Sequence, residues 1–205
     1  WKLSAKLFNN NFMKQIAEWC DSHGWLLTGH HVLEEYFSLQ VPSNGTIMLQ
    51  YQHYHIPGVD VLGRVDPNGM AQIQLASAAA QFGKKQLLTE SFALTGWNFG
   101  FHGMGWMYQQ QLARGINLLC QHLQGYSLRG LRKRDYPSSS FVHQPWWDDY
   151  SIMNSYFARA GMLLAEGEIK TDLLVLHPLS SVWKLFTGTY WESPMEDYAQ
   201  SLQKM

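Results

Sequence analysis

Glu90 closes an apolar run, Gln86-Leu87-Leu88-Thr89-Glu90-Ser91-Phe92, and the loop-forming residues Thr95-Gly96-Trp97-Asn98 follow it. A carboxylate delivered by a buried strand to a loop rim can act as nucleophile or base, because glutamate is rarely buried without a partner or a task. The plainer alternative is an ion pair with an arginine or lysine of a neighbouring strand. Glu34 is the second acidic candidate, although Glu34-Glu35 also fits the solvated first turn of a helix. Asp60 sits among apolar neighbours in His55-Ile56-Pro57-Gly58-Val59-Asp60-Val61-Leu62. There it either holds a ligand or stabilises its own Pro-Gly turn. His30 and His122 each follow an apolar stretch, where an imidazole can donate to a substrate hydroxyl or to a carboxylate, or simply sit in the core. Tyr126 can reach a carboxylate after the same stretch as His122. Trp97 presents a flat apolar face near Glu90, while Trp146 and Trp147 read as packing residues.

The elements that must position these groups alternate. Helical spacing covers residues 5–22, an apolar strand covers 25–30, and residues 41–45 form a break around Pro42 and Gly45. The stretch 47–54 supports either helix or strand, and Pro57-Gly58 reads as a turn. A helix over residues 70–82 closed by Gly83 leads to the strand at 86–92; a helix over 106–114 capped by Gly115 leads to a strand at 116–120. After an irregular segment, a helix over 150–166 leads to a fifth buried strand at 171–178. Helix and strand repeat about every thirty residues, the size of a βα unit, so the expected class is α/β with a parallel sheet and right-handed connections. Polar residues gather after the strands, where such folds keep their sites.

Composition narrows the partners. A net charge of -1 gives no electrostatic case for nucleic acid or an anionic membrane, and the short basic cluster at Arg132-Lys133-Arg134-Asp135 reads as ion pairing along a loop. No Gly-rich phosphate loop follows any strand, which disfavours nucleotides. Cys20 and Cys120 lack metal spacing and read as core thiols. They say little about compartment, and a cytoplasmic location is the working expectation. The chain opens on Trp1 rather than Met and is read as a fragment.

Several blocks together carry a family resemblance: Thr28-Gly29-His30 with Glu34; His55-Ile56-Pro57-Gly58-Val59-Asp60; Leu88-Thr89-Glu90-Ser91-Phe92 with Gly96-Trp97; and Ile116 to His122 with Tyr126-Ser127 and Arg132 to Pro137. They resemble large bacterial glycoside hydrolases of the α-L-rhamnosidase-like kind, whose barrel is similar to that of β-galactosidases. The resemblance implies strands five to eight of a (β/α)8 barrel over residues 1–167 and the start of another α/β domain over 168–205. It implies a glycosidase acting on an oligosaccharide or glycoside, with Glu90 on strand seven as nucleophile or base. Glu34 is a further catalytic candidate, and His30, Asp60, Trp97, His122 and Tyr126 are expected to bind substrate. The acid/base partner is expected upstream, so the fragment alone is expected to be inactive. Calcium is implied for the rhamnosidase-like branch; no metal set is read from the residues themselves. Two rival functions stand beside this one. A metal-dependent barrel hydrolase would use the His53-x-His55 pair with His30 and His122, and a non-catalytic carbohydrate-binding barrel would need no reacting carboxylate.

Overall fold

The computed structural model describes residues 1–65, 69–130, 136–137 and 139–186. Its centre is a four-stranded sheet in the order β1-β2-β3-β4, formed by β1 (Thr28–Gly29), β2 (Ile56–Val61), β3 (Leu88–Ser91) and β4 (Leu118–Gln121). Every neighbouring pair is parallel. This is the mixed α/β class that the alternation predicts.

The helices are α1 (Lys2–Phe8) and α2 (Lys14–Ser22), joined through a π-helical stretch at Asn9–Met13, then α3 (Phe37–Asn44), α4 (Met70–Phe82), α5 (Phe101–Ala113), α6 (Tyr150–Glu166) and α7 (Leu179–Leu185). Strand alternation decides which side they cover. Val59, Val61, Thr89 and Ser91 are buried, and one core joins Val59 and Val61 to Leu75 and Ala79 of α4, Met104 and Tyr108 of α5 and Phe157 of α6. Gln111 of α5 donates to the Ser91 hydroxyl at 3.1 Å, which satisfies a polar group that this side buries. The intervening residues Asp60, Glu90 and Cys120 are in register across β2, β3 and β4 and stand on the other face, where each remains half-buried.

Local signals explain most boundaries. Gly83 ends α4 in the left-handed conformation at φ 66°, which costs glycine little. Residues 56–61 depart from the expected turn: Pro57-Gly58 lies inside β2. β1 packs so closely that a Cβ on Gly58 would meet the Gly29 carbonyl oxygen at 2.9 Å, so this glycine serves close approach rather than turning. The break expected at residues 41–45 is also corrected, since α3 runs through Pro42 and ends at Gly45 with φ 69°. Burial of Phe37 and Val41 against Val182 of α7 overrides the proline signal. The uncertain stretch resolves into a 3-10 helix at Gln50–His53.

Two apolar runs are not the buried strands they resemble. Before β1, Trp25 and Leu26 are 62% and 67% exposed. The expected fifth strand at 171–178 pairs with nothing among the described residues, and Leu173, Leu174 and Leu176 are each at least 80% exposed. Beyond it, α7 folds back onto α3, with Trp183 donating to the Gly45 carbonyl at 2.7 Å. Described residues past the expected boundary at 168 therefore contact the first unit, and the remainder of 168–205 lies outside the described residues. No described helix is long and apolar enough to cross a membrane.

Candidate active site

The carboxyl ends of β1, β2 and β3 bring His30, Asp60 and Glu90 together. His30 lies one residue past β1, level with Gly58, which puts no side chain on that face. Its Nδ1 donates to the His31 carbonyl at 2.7 Å and its Nε2 meets Glu90 Oε2 at 2.6 Å. Both ring nitrogens thus face oxygen acceptors, and the ring donates through both only when it carries two protons and a positive charge. Burial alone would lower the imidazole, but the His31 carbonyl and the Asp60, Glu34 and Glu90 carboxylates outweigh it and raise its pKa. Asp60 Oδ2 lies 4.0 Å from His30 Nδ1. Burial raises the Asp60 carboxyl, the charge of His30 opposes, and Glu35 and Glu90 push it further up.

His122, just past β4, approaches the same carboxylate from the opposite side, with Nε2 3.4 Å from Glu90 Oε1. Its backbone is fixed by donation to the Ser91 carbonyl at 2.7 Å, and its buried Nδ1 has no protein partner among the described residues. Glu90 is therefore flanked by two imidazoles on one face of the sheet. A carboxylate held in this way can accept a proton, attack an electrophilic carbon or orient a hydroxyl.

Glu34 is placed differently from both sequence readings. It lies before α3 rather than in it and is completely buried. Its Oε1 accepts the His31 amide at 2.8 Å and the Tyr51 hydroxyl at 3.3 Å, and its Oε2 accepts the Asp60 amide at 3.2 Å. Burial pushes its carboxyl up to about 8, against the His31 amide and with the Asp60 charge. Tyr51, wholly buried, and His31, brought down to about 4 by burial and then by its neighbour His30, complete this pocket. Neither belongs to the expected site: the Tyr51 hydroxyl bonds Glu34, and the His31 ring packs on Tyr51 and Tyr54.

The remaining candidates stand apart. Tyr126 is 101% exposed and does not reach Glu90. Trp97 is 48% exposed in the loop after β3, anchored through its carbonyl to Gln144 at 3.2 Å. That loop is strained: Phe92 and Leu94, both non-glycine, have φ of 80° and 60°. Trp146 packs on Phe101 and Tyr150, as expected of a packing residue. Trp147 lines a cleft of about 440 Å³ with Gln121, Tyr150 and Asn154, beside β4 rather than over Glu90. The Arg132-Lys133-Arg134-Asp135 run lies outside the described residues.

Ligand atoms of His30, Glu34 and Asp60 lie within 4.8 Å of one another. Calcium takes six to eight oxygen ligands, whereas this set offers one imidazole and two carboxylates. Both His30 nitrogens and both Glu34 oxygens are already engaged, so these residues do not fit calcium. The His53-x-His55 pair precedes β2, at the opposite end from Glu90. His55 there takes the Leu27 amide on Nδ1 and meets Asp21 through Nε2, both at 2.7 Å, so it is occupied structurally. No family model matches the chain, and no curated protein matches it.

Proposed function

We propose that the chain is half of a (β/α)8 glycoside hydrolase barrel of the α-L-rhamnosidase-like kind, in which Glu90 is the reacting carboxylate, as nucleophile or base. One observation carries the reading. Four parallel strands in sequential order keep α4, α5 and α6 on one face and hold Asp60, Glu90, His30 and His122 together at the strand ends on the other. In a closed barrel that second face is the interior, and the strand ends are where barrel enzymes build their sites.

Hydrolysis of a glycosidic bond needs two carboxyl groups on opposite sides of the bond. Glu34 is enclosed by its own hydrogen bonds, which makes it a poor partner for Glu90. Asp60 shares the Glu90 face and suits sugar hydroxyls. The acid/base group is proposed to stand on the other four strands that closure requires. In this reading His30 holds one oxygen of Glu90 in a single orientation, and His122 approaches the other. Trp97 offers a face for a sugar ring once substrate draws its loop inward.

The test is a panel of aryl glycosides given to the protein in a form that carries all eight strands. Hydrolysis resistant to chelator supports the proposal. Stoichiometric zinc with activity lost to chelator would replace it by a metal-dependent hydrolase, and sugar binding without hydrolysis would replace it by a binding barrel.

A further inference from the structure

We infer that Glu34 is a positioning residue, which aims His30 at Glu90 by stapling the turn after β1 to the backbone of β2. The inference takes its functional meaning from the reading of Glu90 above, but its geometry is independent of it. The Glu34 carboxylate joins two peptides that matter for the site: the His31 amide, next in chain to His30, and the Asp60 amide, in register with Glu90. The Tyr51 hydroxyl closes the remaining approach. A group that is wholly enclosed touches no substrate, so its effect must pass through what it holds.

The turn needs such a hold. Leu33, immediately before Glu34, lies at φ 58°, a left-handed conformation that a leucine adopts only when its surroundings over-determine it. From behind, the buried Gln40 amide donates to the Glu34 carbonyl and, at 2.8 Å, to Gln74 of α4. Gln74 meets His177 at 2.8 Å, so the segment leading into α7 braces the same turn. The His30 ring depends on this backbone because its Nδ1 bonds to the His31 carbonyl. Substitution by glutamine would turn an amide NH2 towards groups that are themselves donors and open one side of the staple.

The experiment is a pH titration of the histidine side chains of this chain by nitrogen NMR, for the wild type, Glu34→Gln and Tyr51→Phe. His30 is faced by His31 and Glu34 from its own segment, by Asp60 from β2 and by Glu90 from β3, with His122 beyond Glu90. Glu34→Gln is expected to lower the His30 midpoint by about one pH unit as the ring leaves its acceptors. Tyr51→Phe should lower it less. His53, before β2 at the opposite end, should stay where it is in both. Tyr51→Phe removes no charge, so a fall of the His30 midpoint in that variant reports geometry, whereas Glu34→Gln also deletes a carboxylate that itself raises His30. An unchanged His30 midpoint in folded Glu34→Gln overturns the inference, as does an equal shift of His30 and His53. Should Glu34→Gln fail to fold, Tyr51→Phe decides by the same two criteria. None of these readouts uses turnover, so failure of the glycosidase reading would show in the aryl glycoside assay and not here.

Discussion

His30 and Glu90 meet at 2.6 Å although the whole of β2 lies between the strands that present them. Gly58, level with His30, adds no side chain to the face they share, and a second imidazole from His122 approaches the other carboxylate oxygen. This arrangement fixes one carboxylate from two sides, which is how a rigid scaffold prepares a group for a single orientation.

Loss of His30 should therefore damage turnover more than loss of His122. His30→Gln is expected to reduce kcat by about 10²-fold, the usual scale of a positioned proton-carrying group, and His122→Gln by less. The sign of the pH effect follows from the raised imidazole: its positive form prevails below its folded pKa and is lost as pH rises through it. Activity that relies on the charged ring falls on the alkaline side, and His30→Gln should abolish that limb. Pre-steady-state and steady-state pH profiles of a form that carries the proposed eight strands check both statements.

Glu34 should leave a mark on stability. Its folded pKa of about 8 lies above the ordinary 4.5, so the native state binds the proton more tightly. The associated stability is fully present below pH 4.5 and is lost as pH rises towards and through 8, on the order of a few kcal/mol. His31, lowered to about 4, acts the other way, adding stability as pH rises from 4 to its ordinary 6.5. Urea midpoints between pH 6.5 and 8.5 should fall more steeply for the wild type than for Glu34→Gln.

The approach of β1 to β2 can be tested at Gly58. An added methyl would press on the Gly29 carbonyl at 2.9 Å and on Leu88 at 3.1 Å. Gly58→Ala should cost about 1–3 kcal/mol in denaturant unfolding. It should also weaken the His30 to Glu90 contact, visible as a lower His30 titration midpoint.

Cys120 reports the register beside Glu90. Burial raises its thiol pKa, and the Glu90 charge raises it further. Removing that charge favours the thiolate, so Glu90→Gln should speed iodoacetamide modification of Cys120 a few-fold at pH 8. Cys20, buried in α2, should remain slow in both forms and serves as the internal reference.

Much of the frame is legible in the residues because local and global signals agree there. Residues 70–82 and 150–166 carry strong helical patterns, with glycine at each close, and α4 and α6 match those ranges. The run ending at Glu90 lies in β3, and His30 and His122, each read after an apolar stretch, lie just past β1 and β4 and face it, whereas Asp60, read beside a turn, comes from inside β2. Glu34 is illegible for a physical reason: its partners are the amides of His31 and Asp60, which any residue would provide. Pro57-Gly58 has the chemistry of a turn, yet the neighbouring strand requires a residue without a side chain at 58. The apolar run 171–178 has strand composition but pairs with no strand among the described residues, and Tyr126 depends on a loop path that spacing does not encode.

The most direct test of the account is a comparison of wild type and Glu90→Gln in a form that carries the proposed eight strands, with kcat and substrate affinity measured on an aryl glycoside that the wild type hydrolyses. A reacting carboxylate predicts a fall in kcat of about 10³-fold or more, with affinity kept within a few-fold. Turnover at the wild-type rate in that variant would contradict the role assigned to Glu90.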